Sequence, residues 1–139
     1  MEREELITQL HTLQCSCIIH NNGTTHAFHE RGVKDLYRLL MQGPEILSGA
    51  SIADKVVGKG AAALMIAGGV AWIYADVISE AAMELLKQSR VEVQYAEIVP
   101  NIINRTRTDI CPVEKLCRDC KTAEECLPLI DKFIKEMSR

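Results

Sequence analysis

Four of the six cysteines, Cys111, Cys117, Cys120 and Cys126, fall close together near the end of the chain. Four thiolates at such density can hold zinc or an iron–sulfur cluster. The Cys117-x-x-Cys120 pair falls in a break between two helical stretches, where a metal knuckle would sit. The spacing matches no standard metal motif, and the competing reading makes Cys126 a small apolar residue packed with Leu129, Ile130 and Phe133. Cys111 stands apart because it directly precedes Pro112, which favours the first position of a helix. A thiol at a helix start feels the helix dipole and can react as a nucleophile or sulfur carrier. Glu114 nearby opposes that, and the alternative is a structural cap. Cys15 and Cys17 share one strand face with Ile19 and read as core. His11, His20, His26 and His29 are scattered and are assigned no role.

The second chemical constellation is Asp54-Lys55-Val56-Val57-Gly58-Lys59-Gly60-Ala61-Ala62-Ala63. It reads as the first half of a central helix over 51–67, capped by Ser51 and Asp54. Lys55 and Lys59 would then share a face near the helix start, a plausible anion site, or else two solvated lysines. Gly60 to Ala63 let the helix axis approach a sheet. Gly58-Lys59 is not a phosphate-binding loop, because Ala53 stands where that loop needs glycine and Gly60 where it needs Ser or Thr. Asp54 and Glu80 could face each other across two helix starts and serve magnesium or proton transfer. Their other reading is that each steadies its own helix.

The elements that must position these groups follow from hydrophobic periodicity and turn residues. Helix is expected over 2–13. Strands at 15–20 and 24–29 are joined by Asn21-Asn22-Gly23, which tolerate positive φ. Helix over 33–41 stops at Gly43-Pro44, and a loop covers 46–50. After the central helix, glycines 68 and 69 end it. The strand at 70–75 has no polar alternation and so is central and covered on both faces. Helix over 79–88 is capped by Ser79. Strand lies within 91–99, a turn-rich connection over 101–110, a short helix from Pro112, and a last helix over 122–137 capped by Thr122. Strand–helix–strand units imply right-handed crossovers and parallel neighbours. The expected fold is one α/β domain over 1–139: a mixed sheet with helices on both faces and a cysteine-rich helical tail over 111–139.

Composition excludes several classes. The net charge of −3 and the absence of a Lys/Arg cluster argue against nucleic-acid binding. The apolar stretch 61–75 is too short to span a bilayer and is broken by glycines, so no membrane association is expected. The amino terminus lacks a signal-peptide layout, so a cytoplasmic location and reduced thiols are expected. Homo-oligomerisation stays open.

Three motifs carry a family resemblance. They are Phe28-x-x-Arg31-Gly32-Val33, then Gly49-Ala50-x-x-Ala53-Asp54-Lys55-x-x-Gly58-Lys59-x-Ala61-Ala62, then Asn104-Arg105 ahead of Cys111-Pro112-x-Glu114. Together they resemble the bacterial domain-of-unknown-function family 1893. The resemblance implies a cytidine deaminase-like fold and no established activity. Zinc deaminases carry H-x-E at one helix start and P-C-x-x-C at the next. Ala53-Asp54-Lys55 and Val77-Ile78-Ser79-Glu80, read as those two positions, offer no imidazole or sulfur, so no catalytic zinc is expected. The final strand of the usual five-stranded sheet has no candidate in this reading. Besides a plain interaction or oligomerisation module, three uses of the scaffold follow. One is binding of a small anionic, nucleotide-like molecule by Arg31, Asp54, Lys55, Lys59 and Ser79. Another is an enzyme using Asp54 with Lys55, or Cys111. The third is a metal or cluster protein using Cys111, Cys117, Cys120 and Cys126.

Overall fold

The computed structural model describes residues 1–29, 33–103 and 109–137. Helix α1 (Arg3–Thr12) is followed by the hairpin β1 (Cys17–Asn21) and β2 (Thr24–Phe28). Asn22 and Gly23 turn it with φ of 50° and 78°, the left-handed pair that matches strand twist. Next come α2 (Lys34–Gln42), the short α3 (Pro44–Leu47), β3 (Ser51–Val57), α4 (Lys59–Gly68), β4 (Trp72–Ser79), α5 (Glu80–Lys87) and β5 (Glu92–Val99). The chain ends in α6 (Pro112–Leu116) and α7 (Ala123–Met137).

The five strands form one sheet in the order β2-β1-β3-β4-β5. β1 is antiparallel to both β2 and β3, whereas β3, β4 and β5 run parallel. The expected mixed α/β class is therefore correct. Alternation sends neighbouring residues to opposite faces. Ile18, Ala53, Trp72 and Tyr74 pack under Leu6 and Leu10 of α1. Ile19, Ile52, Ile73 and Ala75 face the larger layer built by α2, α4, α5 and α7. β4 is central and covered on both faces, as expected, although it continues to Ser79. Tyr37 of α2 donates a hydrogen bond to Asp131 of α7, which ties the tail to the body.

Two expectations fail. Residues 51–57 are not the first half of a helix but the missing strand. Ser51 pairs with His20 and Trp72, and Asp54 with Cys17 and Ala75. Ser51 and Asp54 therefore form no capping box. The β-branched Ile52, Val56 and Val57 supply the strand preference, and pairing on both sides overrides the weak propensity of Ala53, Asp54 and Lys55. Gly58 is the extended hinge between strand and helix. Residues 44–47, expected to be mostly loop, form a helical turn with Pro44 at its start. The helix end is as expected: Gly69, at φ 76°, caps α4 in the left-handed conformation.

No helix among the described residues is long and apolar enough to cross a membrane.

Candidate functional site

Because β3 runs parallel to β4 while β1 runs against it, the carboxyl end of β3 lies beside the start of β1. Open α/β sheets bind ligands outside strand carboxyl ends, where strand order changes direction. A cleft of about 1300 Å³ opens here. Its polar side includes Gln14, Ser16, Cys17, Asp35, Asp54 and Lys55, and its apolar side includes Phe28, Ile102, Phe133, Ile134 and Met137.

Asp54 sits in the wall of the cleft and is only 9 % exposed. Its Oδ1 accepts the backbone N–H of Val56 at 3.2 Å. Across the strand pair the Cys17 thiol bonds to the same carboxyl. Burial pushes the Asp54 carboxyl up to about 7, against the opposing pull of the Val56 and Lys55 amides. The Asp76 charge adds to the rise. Burial first, and the neighbouring Asp54 second, push the Cys17 thiol well above its ordinary value. The pair is therefore a neutral thiol beside a carboxyl that exchanges its proton near neutrality, as general acid–base chemistry requires. Lys55 lies half-buried in the cleft, and among the described residues it forms no ion pair. Asp35, by contrast, is held by Arg38 at 3.0 Å.

A second polar centre holds the cleft together from behind. Glu114 of α6 is 5 % exposed. Its Oε1 accepts the Lys59 backbone N–H at 3.1 Å and the Ser79 hydroxyl at 2.8 Å. Its Oε2 accepts the Ile102 backbone N–H at 2.9 Å. One carboxylate thus caps the start of α4, receives the hydroxyl that caps α5 and pins the segment after β5. Ser79 does cap its helix as expected, accepting the Ala82 N–H at 3.1 Å. The Lys59 ammonium donates to the carbonyls of Arg118 and Cys120, closing the end of α6. Gly60 permits this packing: a Cβ there would meet Val113 Cγ1 at 2.3 Å.

Of the residues proposed from sequence, Asp54 and Lys55 come together in the cleft, and Cys111 lines the same cleft. Lys59 and Ser79 are buried and point their polar groups at Arg118, Cys120 and Glu114 rather than into the cleft. Arg31 and the Asn104-Arg105 motif lie outside the described residues. Cys111 occupies the position before α6, with Pro112 first in the helix, but its side chain makes no capping bond. Cys126 contacts Cys117 and Cys120, so these three cluster away from the cleft where Cys111 sits. Among the described residues no group of three or more His, Cys, Asp or Glu side chains is arranged to hold a metal ion. Sequence reasoning missed Cys17 and Glu114. Cys17 is recognisable only once Asp54 is known to be its strand partner, and Glu114 only once α6 is known to meet α4.

The family profile described as "Domain of unknown function (DUF1893)" matches residues 5–134. The chain belongs to the DUF1893 family. A solved structure of a DUF1893 family protein, TM1506 from Thermotoga maritima, superposes with a TM-score of 0.84 at 23 % identity. The match covers 93 % of this chain and 87 % of that one, and it establishes the shared fold. No curated protein matches the chain. Family membership accounts for the architecture, so the DUF1893 cleft must be read from its own side chains.

Proposed function

We propose that this DUF1893 chain is a small-molecule-binding protein of cytidine deaminase-like architecture whose cleft takes an anionic, nucleotide-sized ligand. The buried, proton-exchanging Asp54 in the cleft wall is the observation that carries the reading. A carboxyl held out of water is costly to keep, and such groups concentrate where ligands meet proteins. Lys55 supplies a cation that forms no ion pair among the described residues. Phe28, Phe133 and Ile102 supply an apolar wall for a flat or aliphatic body. The mixture of apolar surface and a few convergent polar groups is what small-molecule sites use.

Zinc chemistry does not fit. Zinc deaminases take their ligands from two successive helix starts. Ala53-Asp54-Lys55, read from sequence as the first, lies in β3, and α2, α4 and α5 open with Val33-Lys34-Asp35, Gly58-Lys59-Gly60 and Ser79-Glu80. None of these starts offers the imidazole or thiolate donors that a catalytic zinc takes.

The test is thermal unfolding of the full chain with the nucleoside monophosphates of adenine, cytosine, guanine and uracil at millimolar concentration. At least one raises Tm saturably, as mass action requires of a ligand that binds only the folded state. Lys55→Ala removes the shift. No rise with any of the four contradicts the proposal. A second reading, acid–base catalysis by Asp54, is favoured by its carboxyl standing at about 7. Conversion of the stabilising nucleotide by the wild type but not by Asp54→Asn supports it; recovery of the nucleotide intact from both rules it out.

A further inference from the structure

The tail thiols take no part in the cleft, and their arrangement has a chemistry of its own. Cys117 ends α6, and its carbonyl accepts the Cys120 N–H at 3.0 Å in a tight turn. Cys126 projects from the first turns of α7, and its thiol reaches those of both Cys117 and Cys120. Cys117 and Cys126 are fully buried, whereas Cys120 is only partly so. Lys59 fixes the turn by donating to the Arg118 and Cys120 carbonyls. One thiol thus belongs to a partly exposed residue and rests against a second that is fully buried. All six cysteines are free.

We propose that Cys120 and Cys126 form a thiol–disulfide exchange site, in which Cys120 attacks a disulfide arriving from solvent and Cys126 resolves the product. The co-reactant is a low-molecular-weight disulfide, RSSR. Burial first, and the Cys126 thiol second, hold the Cys120 thiol up at about 11, so it gives its proton to solvent before it attacks one sulfur of RSSR; a Cys120–SR bond forms, the S–S bond of the reagent breaks and RS⁻ leaves, taking up a proton. Cys126 then attacks Cys120 Sγ, and its proton passes to the departing RS⁻. A Cys120–Cys126 bond forms as the Cys120–SR bond breaks. The protein loses two electrons and two protons, and RSSR becomes two RSH. Cys120 is the attacking group because solvent reaches it. Cys126 is the resolving group because its thiol meets that of Cys120, while Cys117 meets only Cys126 through a side-chain bond.

The sequence supplies a clean assay. Lys115, Arg118, Lys121 and Lys132 separate the three thiols into three tryptic peptides: 116–118 with Cys117, 119–121 with Cys120, and 122–132 with Cys126. The reduced full-length chain is incubated with oxidised glutathione, alkylated, digested and mapped by mass spectrometry. The expected product is peptide 119–121 joined to peptide 122–132, released again by dithiothreitol. Cys120→Ser abolishes it, and Cys126→Ser traps glutathione on Cys120. Should Cys126→Ser fail to fold, the wild-type map and the Cys120→Ser variant decide alone. Full alkylation of all three thiols, a persistent wild-type glutathione adduct, or a crosslink through Cys117 instead would each overturn the assignment.

Discussion

Replacing Asp54 with Asn isolates the cost of keeping a carboxyl in the cleft wall. The folded protein holds this group at about 7, against an ordinary value of 3.8. A raised acid favours the folded state only while protonated in both states. Its contribution is whole below about pH 4, declines as the unfolded chain ionises, and is lost once the pH passes about 7. The shift corresponds to about 4 kcal/mol of stability lost between about pH 4 and pH 8. Asn keeps the shape and the oxygen that accepts the Val56 N–H, but it cannot ionise. Urea unfolding of both proteins at the two pH values gives the answer as a double difference, in which the other titrating groups cancel. The variant gains about 4 kcal/mol relative to the wild type on going to the higher pH. An unchanged pH dependence in Asp54→Asn would refute the assignment of a raised carboxyl to this position.

Other substitutions test the frame around the cleft. Gly60→Ala places a Cβ 2.3 Å from Val113 Cγ1, so overpacking lowers stability by about 1–3 kcal/mol in urea unfolding. An unchanged midpoint would mean that α6 does not sit against α4. Glu114→Ala strands the Lys59 and Ile102 N–H groups and the Ser79 hydroxyl, at a cost of about 3 kcal/mol or more; a loss under about 1 kcal/mol would show that water replaces the carboxylate. Ser79→Ala removes the bond to the Ala82 N–H and costs about 1–2 kcal/mol, read by the same unfolding curves.

The sequence announces the elements whose local chemistry is unambiguous. Asn22-Gly23 marks the hairpin, Gly69 marks the end of α4, and Ser79 and Thr122 mark helix starts; Thr122 accepts the Glu125 N–H at 3.2 Å. β3 stays hidden because Ala53, Asp54 and Lys55 have no strand character of their own and run without a proline into a true helix. Only pairing with β1 and β4 decides their conformation. The same misreading puts Asp54 and Lys55 at a helix start, yet both line the cleft, even though alternation along β3 sends their side chains to opposite faces of the sheet. Lys59 and Ser79 show the opposite case. Their types suggest a ligand site, but their partners, the Arg118 and Cys120 carbonyls and Glu114, come from a segment far along the chain. No local pattern encodes such contacts. The four-cysteine grouping divides for the same reason: Cys111 joins the cleft while Cys117, Cys120 and Cys126 meet where α6 turns into α7.

The most direct measurement is the carboxyl ¹³C NMR titration of Asp54 in the intact chain. A midpoint near neutrality, displaced when a nucleotide binds, agrees with a buried acid facing a ligand; a midpoint in the usual carboxylate range, indifferent to every nucleotide, would contradict it.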